Sequence, residues 1–388
     1  MDFALTEEQK MLKDATLEFM ADKRVQEWIA VAEKTKGYPH DFMKVAAAMG
    51  YLGMNVDTKY GGAGMSYLDA VIAIEQIAYS SASFSLNILV QNSLFGFAIA
   101  HAGTEAQKKK YLDAAARGDL FGCFANTEPD VGSDAKNIRT TAVKKGDRWI
   151  INGTKRFCTS AAVSSAAVIF ARTSPRAPGS PGITAFLIDI GPNVKGYTLD
   201  RVEKKNAQPG TLLCEFTLKD YEAAEDAVLG TPEKGWDVCD ATFRHSRVWI
   251  AAQGVGLAQR AFDETVAYTS TRKTFGKRII EREDVGSELA RLKIEIESAR
   301  LLTYKAAWQE TIGDQDFALT SSMAKYAAGE AAQKAALRCY RYFGGLSAVV
   351  ETISAKLLLD ALIIPVYEGP SEIQLAIISK HISQSVRA

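Results

Sequence analysis

The chain has 388 residues, 47% of them hydrophobic and 24% charged, with 46 basic side chains matched by 46 acidic ones. Such a length exceeds what one hydrophobic core usually serves, so two or three subdomains are expected. The neutral balance gives no basic excess of the kind that favours binding to nucleic acid or a membrane surface, so charge gives no case for either partner and no nucleic-acid partner is predicted.

Cysteine spacing and the amino terminus indicate the compartment. The five cysteines include no CxxC pair, so neither a metal site nor a disulfide framework is predicted. Residues 1–9 are acidic where a signal or transit peptide would be basic or apolar. No uninterrupted apolar span of about 20 residues is apparent. We therefore predict a cytoplasmic protein without membrane insertion.

Residues 1–118 are predicted to form an N-terminal helical domain. Thr6 and Gln9 have the spacing of a capping box, and apolar residues then recur at helical spacing. The clustered glycines at positions 61, 62 and 64 predict a loop that interrupts the helices.

Residues 119–231 are predicted to form a central antiparallel β domain. Short β-branched runs separated by turn residues begin after Phe124. Asn152-Gly153 is predicted to be a hairpin turn, because both positions tolerate the positive φ of a type I′ turn. The prolines at 175, 178 and 181 predict a surface loop between two strands.

Residues 232–388 are predicted to form a C-terminal four-helix-bundle domain. Apolar residues lie on one helical face from Val248 to Val266, and long amphipathic runs begin at Ser287 and Phe317. The predicted fold class is therefore α+β, with the β domain between two helical domains.

Common nucleotide-binding loops are absent from the sequence. Neither Gly62-Ala63-Gly64 nor Gly254-Val255-Gly256 continues to the third glycine of a dinucleotide fingerprint. A bound nucleotide would have to be held by hydroxyls, backbone amides and a few basic side chains.

Four motifs together resemble those of the acyl-CoA dehydrogenase family. They occupy residues 124–134, 152–160, 272–277 and 367–374. Each run alone would be read as a turn, a core strand or a helix end. The resemblance nevertheless covers nearly the whole chain in the right order, and it agrees with the helix, β, helix division predicted from the patterning.

The resemblance implies that the cofactor is FAD. It implies that Thr127 and Thr159 hydrogen-bond the flavin ring, that Phe157 packs on one face of the ring, and that Ser133 binds the pyrophosphate. Arg272 would reach the pyrophosphate of an FAD in a neighbouring subunit. The further cofactor-binding residues that the resemblance implies are Phe124, Phe275, Glu283, Arg341, Gly345 and Glu372.

The resemblance also implies that Glu368 is the catalytic base. An apolar segment delivers Glu368 to a Gly-Pro turn, where partial burial would raise the pKa of its carboxyl group. In the implied reaction Glu368 removes the α-proton of an acyl-CoA thioester while the β-hydrogen leaves as hydride to flavin N5, which gives a trans-2-enoyl-CoA. Some relatives carry the base at the position of Ser246, which cannot serve. The substrate-binding residues implied are Val90, Ser133, Phe243, Ser246, Arg247, Tyr367 and Gly369.

Several positions depart from the family pattern. Pro370 replaces a common threonine, which removes a hydroxyl and an N–H that could serve the flavin. Glu283 and Arg341 replace two glutamines, and we predict that they pair with each other. Val90, Phe95 and Phe97 predict an apolar cavity of limited depth, which favours short, branched or cyclic acyl groups.

The implied partners are an electron-transfer flavoprotein, which accepts the electrons, and further copies of the chain in a homotetramer or at least a homodimer. Three alternatives stay open on the sequence. The protein could be an acyl-CoA oxidase, an acyl-carrier-protein-linked dehydrogenase, or a flavin-poor partner subunit without catalytic activity.

Overall fold

Along the chain, a helical region is followed by a β region and then by a second helical region, as predicted. The computed structural model describes residues 4–175 and 181–385, and these contain twelve α-helices and ten β-strands. The part of the predicted surface loop around Pro178 lies outside the described residues.

The N-terminal region is helical and begins with the predicted capping box. The Thr6 hydroxyl accepts the Gln9 N–H, and the Gln9 side chain accepts the Thr6 N–H. The glycine-rich loop follows a 3-10 turn at Thr58–Tyr60, which confirms the predicted interruption. The helices are α1 Glu7–Ala21, α2 Lys23–Thr35, α3 His40–Ala48, α4 Tyr67–Ser80, α5 Ala82–Leu89, α6 Phe97–Ala102 and α7 Glu105–Ala116.

One largely apolar helical stretch spans Ala82–Ala102, and polar side chains interrupt it, so it is not the uninterrupted apolar span whose absence was predicted. It consists of α5, a π-helical segment Val90–Gly96, and α6, and an 18-residue window within it has a mean hydropathy of 1.3, which would suffice for a membrane span. However, 94% of that window is buried inside the protein. Its polar side chains hide the run in the sequence, and they bond to backbone: Gln91 Nε2 donates to the Gly122 carbonyl at 2.9 Å. The stretch is thus a core helix of the fold.

The middle region forms one sheet of eight strands. Their order is β6-β7-β3-β2-β4-β5-β8, and β1 pairs with β4. Most neighbours are antiparallel, but β1 and β2 run parallel to β4, so the sheet is mixed rather than wholly antiparallel. The strands are β1 Gly122–Ala125, β2 Thr141–Lys145, β3 Arg148–Thr159, β4 Ala166–Arg172, β5 Ile183–Asp189, β6 Tyr197–Val202, β7 Leu213–Ala224 and β8 Val228–Leu229.

The predicted hairpin turn at Asn152-Gly153 is wrong. Both residues lie inside β3, at a register shift against β7, and the hairpin that joins β2 to β3 instead contains Gly146 with φ +63°. Gly153 is required by a close approach, since a Cβ there would lie 2.4 Å from Thr140 Oγ1. The Asn152 side chain accepts the Asp220 N–H at 2.8 Å. The local turn signal therefore marks a bulge within a long strand.

The C-terminal region is a helical bundle built around one long helix, α8. As predicted, a helix begins at Phe317, whereas the preceding one begins at Glu283 rather than Ser287. The elements are α8 Gly235–Thr271, the hairpin β9 Lys273–Thr274 and β10 Lys277–Arg278, α9 Glu283–Thr311, α10 Phe317–Phe343, α11 Ile353–Ile363 and α12 Ser371–Ser385.

Helix α8 also packs against α4, so the two helical regions share one hydrophobic core. A Cβ on Gly256 would lie 2.2 Å from the Glu75 carbonyl oxygen, so only glycine allows this approach. The shared core fixes the first and last thirds of the chain against each other.

A buried ion pair ties the segment after β1 to β3. Lys155 Nζ lies 2.8 Å from Glu128 Oε1, with 0% and 5% of the two side chains exposed. The same carboxylate accepts the Thr140 hydroxyl at 2.6 Å and the Arg139 N–H at 2.6 Å. The pair is therefore fully hydrogen-bonded and leaves no charge free in the core.

We predict that Lys155→Met lowers the free energy of unfolding by ~3–5 kcal/mol, because Glu128 would remain buried without its cation. Lys144→Met is the matched control, since Lys144 pairs with Glu225 at the surface, and it should lose at most ~1 kcal/mol. Denaturant unfolding of both variants gives the comparison. Equal losses would contradict a structural role for the buried pair.

Candidate active site

Glu368 lies in the short loop between α11 and α12, in an unusual backbone conformation. Its φ is +51°, and that of Gly369 is +91°. Glu368 Oε2 is shielded from solvent and has no hydrogen-bond partner among the described residues. A left-handed non-glycine residue costs on the order of 1–3 kcal/mol, and a buried, unpartnered carboxylate adds to that cost. Both features point to a functional residue.

The surroundings of Glu368 bring the pKa of its carboxyl group close to neutral pH. Burial raises the pKa of Glu368 to about 7. The Ser246 hydroxyl and the positive charges of Lys325 and Arg247 oppose this rise. A carboxylate with this pKa can accept a proton from a bound ligand at neutral pH.

Tyr367 anchors the loop that carries Glu368. Its hydroxyl donates to Gln253 Oε1 on α8 at 2.6 Å and accepts Gln208 Nε2 from the β region at 3.1 Å. The sequence resemblance gives Tyr367 as a substrate-binding residue, and the structure shows that its hydroxyl is used inside the protein. The loop is thereby held to two other parts of the fold.

Lys325 on α10 is a site residue that the sequence analysis missed. Its Nζ is fully buried and donates to the Pro365 carbonyl at 3.0 Å and the Gly369 carbonyl at 2.8 Å. The available signal was weak: a lysine among alanines on the buried face of an amphipathic helix. Lysine is almost never fully buried without a partner, so its position called for a specific role.

Helix α8 brings three predicted substrate residues to the site. Ser246 and Arg247 are buried, and burial lowers the pKa of Arg247. Arg247 reaches Ser322 on α10 with one guanidinium nitrogen at 3.4 Å, while its Nε has no partner in the described part of the chain. The Phe243 ring meets the Phe124 ring edge-on at 5.6 Å, which links α8 to β1.

A cluster of rings, here called the aromatic wall, lies beside Ser246. The His245 ring stacks between Phe97 at 3.9 Å and Tyr67 at 4.4 Å, and Trp249 is fully buried one turn along α8. His245 Nδ1 is 2.7 Å from Glu310 Oε1. Of these residues the sequence analysis identified only Phe97. Val90, also predicted to line the pocket, is buried at the start of the π-helical segment.

The β region presents a second group of predicted residues. Phe157 is 51% exposed, has φ +57°, and carries the Arg156 guanidinium 4.8 Å from its ring centre. No protein hydrogen bond involves the side-chain hydroxyls of Thr127, Ser133 or Thr159 in the described ranges. A strained, exposed ring with free hydroxyls nearby fits a flat cofactor with polar edges.

The remaining predicted cofactor residues lie on the protomer surface. Phe275 is 96% exposed at the tip of the β9–β10 hairpin. Glu283 and Arg341 form no ion pair with each other among the residues described, so their predicted pairing is absent within one protomer. The other residues that the structure leaves exposed are Arg272, Gly345 and Glu372.

Comparison with known proteins decides the family. The family models for the N-terminal, middle and C-terminal domains of acyl-CoA dehydrogenases match residues 6–119, 123–221 and 233–383. The chain belongs to the acyl-CoA dehydrogenase family. It is an oxidoreductase, and its cofactor is FAD.

The similarity extends over whole chains. The short-chain specific acyl-CoA dehydrogenase of Homo sapiens mitochondria is 36% identical over 384 residues, which covers 99% of this chain and 92% of the relative. The butyryl-CoA dehydrogenase of Megasphaera elsdenii superposes with a TM-score of 0.93 at 30% identity, with 98% and 100% coverage. A chain from a structure of the electron transferring flavoprotein of Acidaminococcus fermentans gives 0.94 at 30% identity, with 98% and 99% coverage. This acyl-CoA dehydrogenase fold is therefore shared from end to end.

The raised pKa of Glu368 makes stability depend on pH. Between the ordinary carboxyl pKa and about 7, the folded protein holds a proton that the unfolded chain has released, so stability falls as the pH rises. We predict that Glu368→Gln increases the free energy of unfolding by ~2–3 kcal/mol at pH 8, with the difference vanishing near pH 4. Denaturant unfolding at both pH values, with FAD saturating, measures it.

Glu18→Gln is the control for this prediction, because Glu18 is exposed on α1, far along the chain from the Glu368 loop. Its substitution should leave the difference between the two pH values as in the wild type. An identical unfolding curve for Glu368→Gln and the wild type at pH 8 would show that the Glu368 carboxylate is not destabilised by burial.

Proposed function

We propose that this protein dehydrogenates a short acyl-CoA thioester at its α and β carbons, with Glu368 as the base that removes the α-proton. The observation that carries the proposal is the Glu368 carboxylate: its Oε2 is shielded from solvent and has no hydrogen-bond partner among the described residues, and burial raises its pKa to about 7. This pKa suits a group that must be ionised before the reaction and protonated after it.

Removal of a weakly acidic α-proton requires stabilisation of the negative charge that develops on the thioester oxygen. The backbone N–H of Glu368 donates no hydrogen bond to any residue that the structure describes, so it can donate to that oxygen. Glu368 Oε2 is shielded from solvent, and the buried Ser246 and Arg247 act on the carboxylate. The base and the N–H donor thus come from the same residue of an anchored loop.

FAD, when bound, supplies the acceptor for the β-hydrogen, which leaves as hydride. We assign Thr127 and Thr159 to the edge of the flavin ring, Phe157 to its face and Ser133 to the pyrophosphate. Free hydroxyls and an exposed aromatic ring support the assignment. Pro370 offers neither a hydroxyl nor an N–H, so the ring is held by the β region and not by the start of α12.

The aromatic wall supports a short acyl group. Ser246 is close enough to Glu368 to influence its pKa, and the charge of Glu368 in turn acts on Tyr67, whose ring packs on His245 in the wall. An acyl chain whose α-carbon lies at Glu368 meets these rings after few carbon atoms. The similarity to short-chain specific relatives points the same way.

We also propose that the electrons pass to an electron-transfer flavoprotein and that the active form is a homotetramer. The Acidaminococcus structure supports the former. For the latter, the exposed Arg272 and Phe275 at the β9–β10 hairpin are placed to contact another protomer and its FAD. An aromatic side chain with nearly all of its surface in water is costly, which favours burial against a partner.

Anaerobic titration of the FAD-loaded protein with butyryl-, isobutyryl-, hexanoyl- and octanoyl-CoA tests the proposed function. We expect a four-carbon thioester to bleach the flavin absorbance and octanoyl-CoA to leave it unchanged. Glu368→Gln should retain the flavin and react ~10²–10⁴-fold more slowly. Undiminished bleaching in Glu368→Gln would contradict the role of the base. Bleaching only by a carrier-protein thioester, or rapid reoxidation by oxygen, would favour the carrier-linked or oxidase alternative.

The aromatic wall should limit the length of the acyl chain that the site accepts. Phe97→Ala opens space beside His245, so we expect the ratio of kcat/KM for hexanoyl-CoA to that for butyryl-CoA to rise ~10-fold or more. Phe262→Ala is the control, since Phe262 is a half-buried ring on α8 more than four turns from Ser246. A ratio is insensitive to the fraction of folded enzyme. An unchanged ratio in Phe97→Ala would exclude the wall from substrate selection.

A further inference from the structure

We infer that Lys325 is a positioning residue: its buried ammonium group holds the loop of residues 365–369, and with it the Glu368 carboxylate, in the reactive arrangement. The inference rests on the proposed role of Glu368. It extends that role to a side chain on α10, in a part of the chain where no motif was recognised.

Lys325 bridges the two ends of the loop that carries Glu368. Its Nζ donates to the carbonyls of Pro365 and Gly369, at 3.0 and 2.8 Å, and these residues flank Glu368 on both sides. The same carbonyls also accept the Ser371 N–H at 2.9 Å and Gln374 Nε2 at 2.8 Å. The two ends of the loop are therefore fixed to one ammonium group and to the first turn of α12.

The loop requires hydrogen bonds of this kind because its backbone is strained. Glu368 and Gly369 both have positive φ, a conformation that persists only when surrounding contacts determine it. Gly329, one turn after Lys325 on α10, allows Pro365 to come close, since a Cβ there would lie 3.3 Å from Pro365 Cγ. One face of α10 is thus shaped to receive the loop.

The charge of Lys325 is not neutralised by a salt bridge. Within residues 4–175 and 181–385 no carboxylate lies within 4.0 Å of its Nζ, in contrast to the ion pair of Lys155. The charged groups that face Lys325 are Glu368 on the loop, Arg247 on α8, Glu330 on α10 and Glu372 on α12. Burial lowers the pKa of Lys325 to about 8, so most of the ammonium form is present at neutral pH.

The charge also acts on the base. Lys325 and Arg247 oppose the rise that burial gives to the pKa of Glu368, and the hydroxyl of Ser246 acts in the same direction. Tyr67 and Tyr367 also face the carboxylate, and their rings carry no charge at neutral pH. Loss of the Lys325 charge therefore leaves Arg247 as the one cation among these neighbours, and it moves the titration of Glu368 to higher pH.

Lys325→Met removes the charge and the donors while keeping a side chain of similar length. We expect kcat to fall ~10–100-fold through misplacement of Glu368, whereas KM should change little because no substrate contact is removed. The acid limb of the kcat/KM profile should move up by about one pH unit or more. Lys334→Met, an exposed lysine on the same helix, is the matched control and should behave as the wild type.

An infrared titration separates this inference from the proposed reaction. The protonated carboxyl stretch of Glu368, identified by its loss in Glu368→Gln, should disappear with a midpoint near pH 7 in the wild type and at higher pH in Lys325→Met. If Lys325→Met fails to retain FAD, Lys325→Gln is titrated in its place. An unshifted midpoint together with an unchanged kcat overturns the inference. A wild type inactive on every thioester refutes the proposed function, while the infrared midpoint still tests Lys325.

Discussion

The contact between α4 and α8 joins the two helical regions, and the arrangement of the candidate site depends on it. Because Gly256 has no side chain, α8 can approach the α4 backbone closely, and its buried face then serves both helical regions. The same helix presents Ser246 and Arg247 to the candidate site around Glu368, and Gln253 to the hydroxyl of Tyr367. The sheet reaches the site through Gln208 and the Phe124–Phe243 contact. The candidate active site is thus a junction of all three regions, and α8 connects them.

Two buried lysines show how context assigns different roles to one side chain. Lys155 is paired with Glu128, whose remaining lone pairs are also occupied, and this arrangement stabilises the sheet. Lys325 binds carbonyl oxygens and keeps its charge facing a carboxylate whose Oε2 has no hydrogen-bond partner among the described residues. Lys155 therefore stabilises the fold, whereas Lys325 lowers the pKa of the Glu368 carboxyl group.

The sequence predicted what is local or contiguous. Periodicity gave the helical and β regions, and the contiguous motif around Glu368 indicated the candidate base. Lys325, His245 and Tyr67 were missed because their relation to Glu368 exists only after the bundle has assembled. The Asn152-Gly153 signal misled because tertiary pairing overrode a local preference. The Ala82–Ala102 stretch is not recognisable as a core helix from the sequence because polar side chains interrupt it, and those side chains bond to backbone only in the folded core.

The left-handed backbone at Glu368 affects which residues are tolerated at this position during evolution. Glycine adopts this conformation without strain, and replacing the buried carboxylate would also relieve its cost of desolvation. The fold itself therefore gives no reason to keep glutamate at this position. In its proposed role as the base, Glu368 is maintained by selection on the chemistry, so a lineage that abandoned that reaction would lose Glu368 early while its architecture persisted.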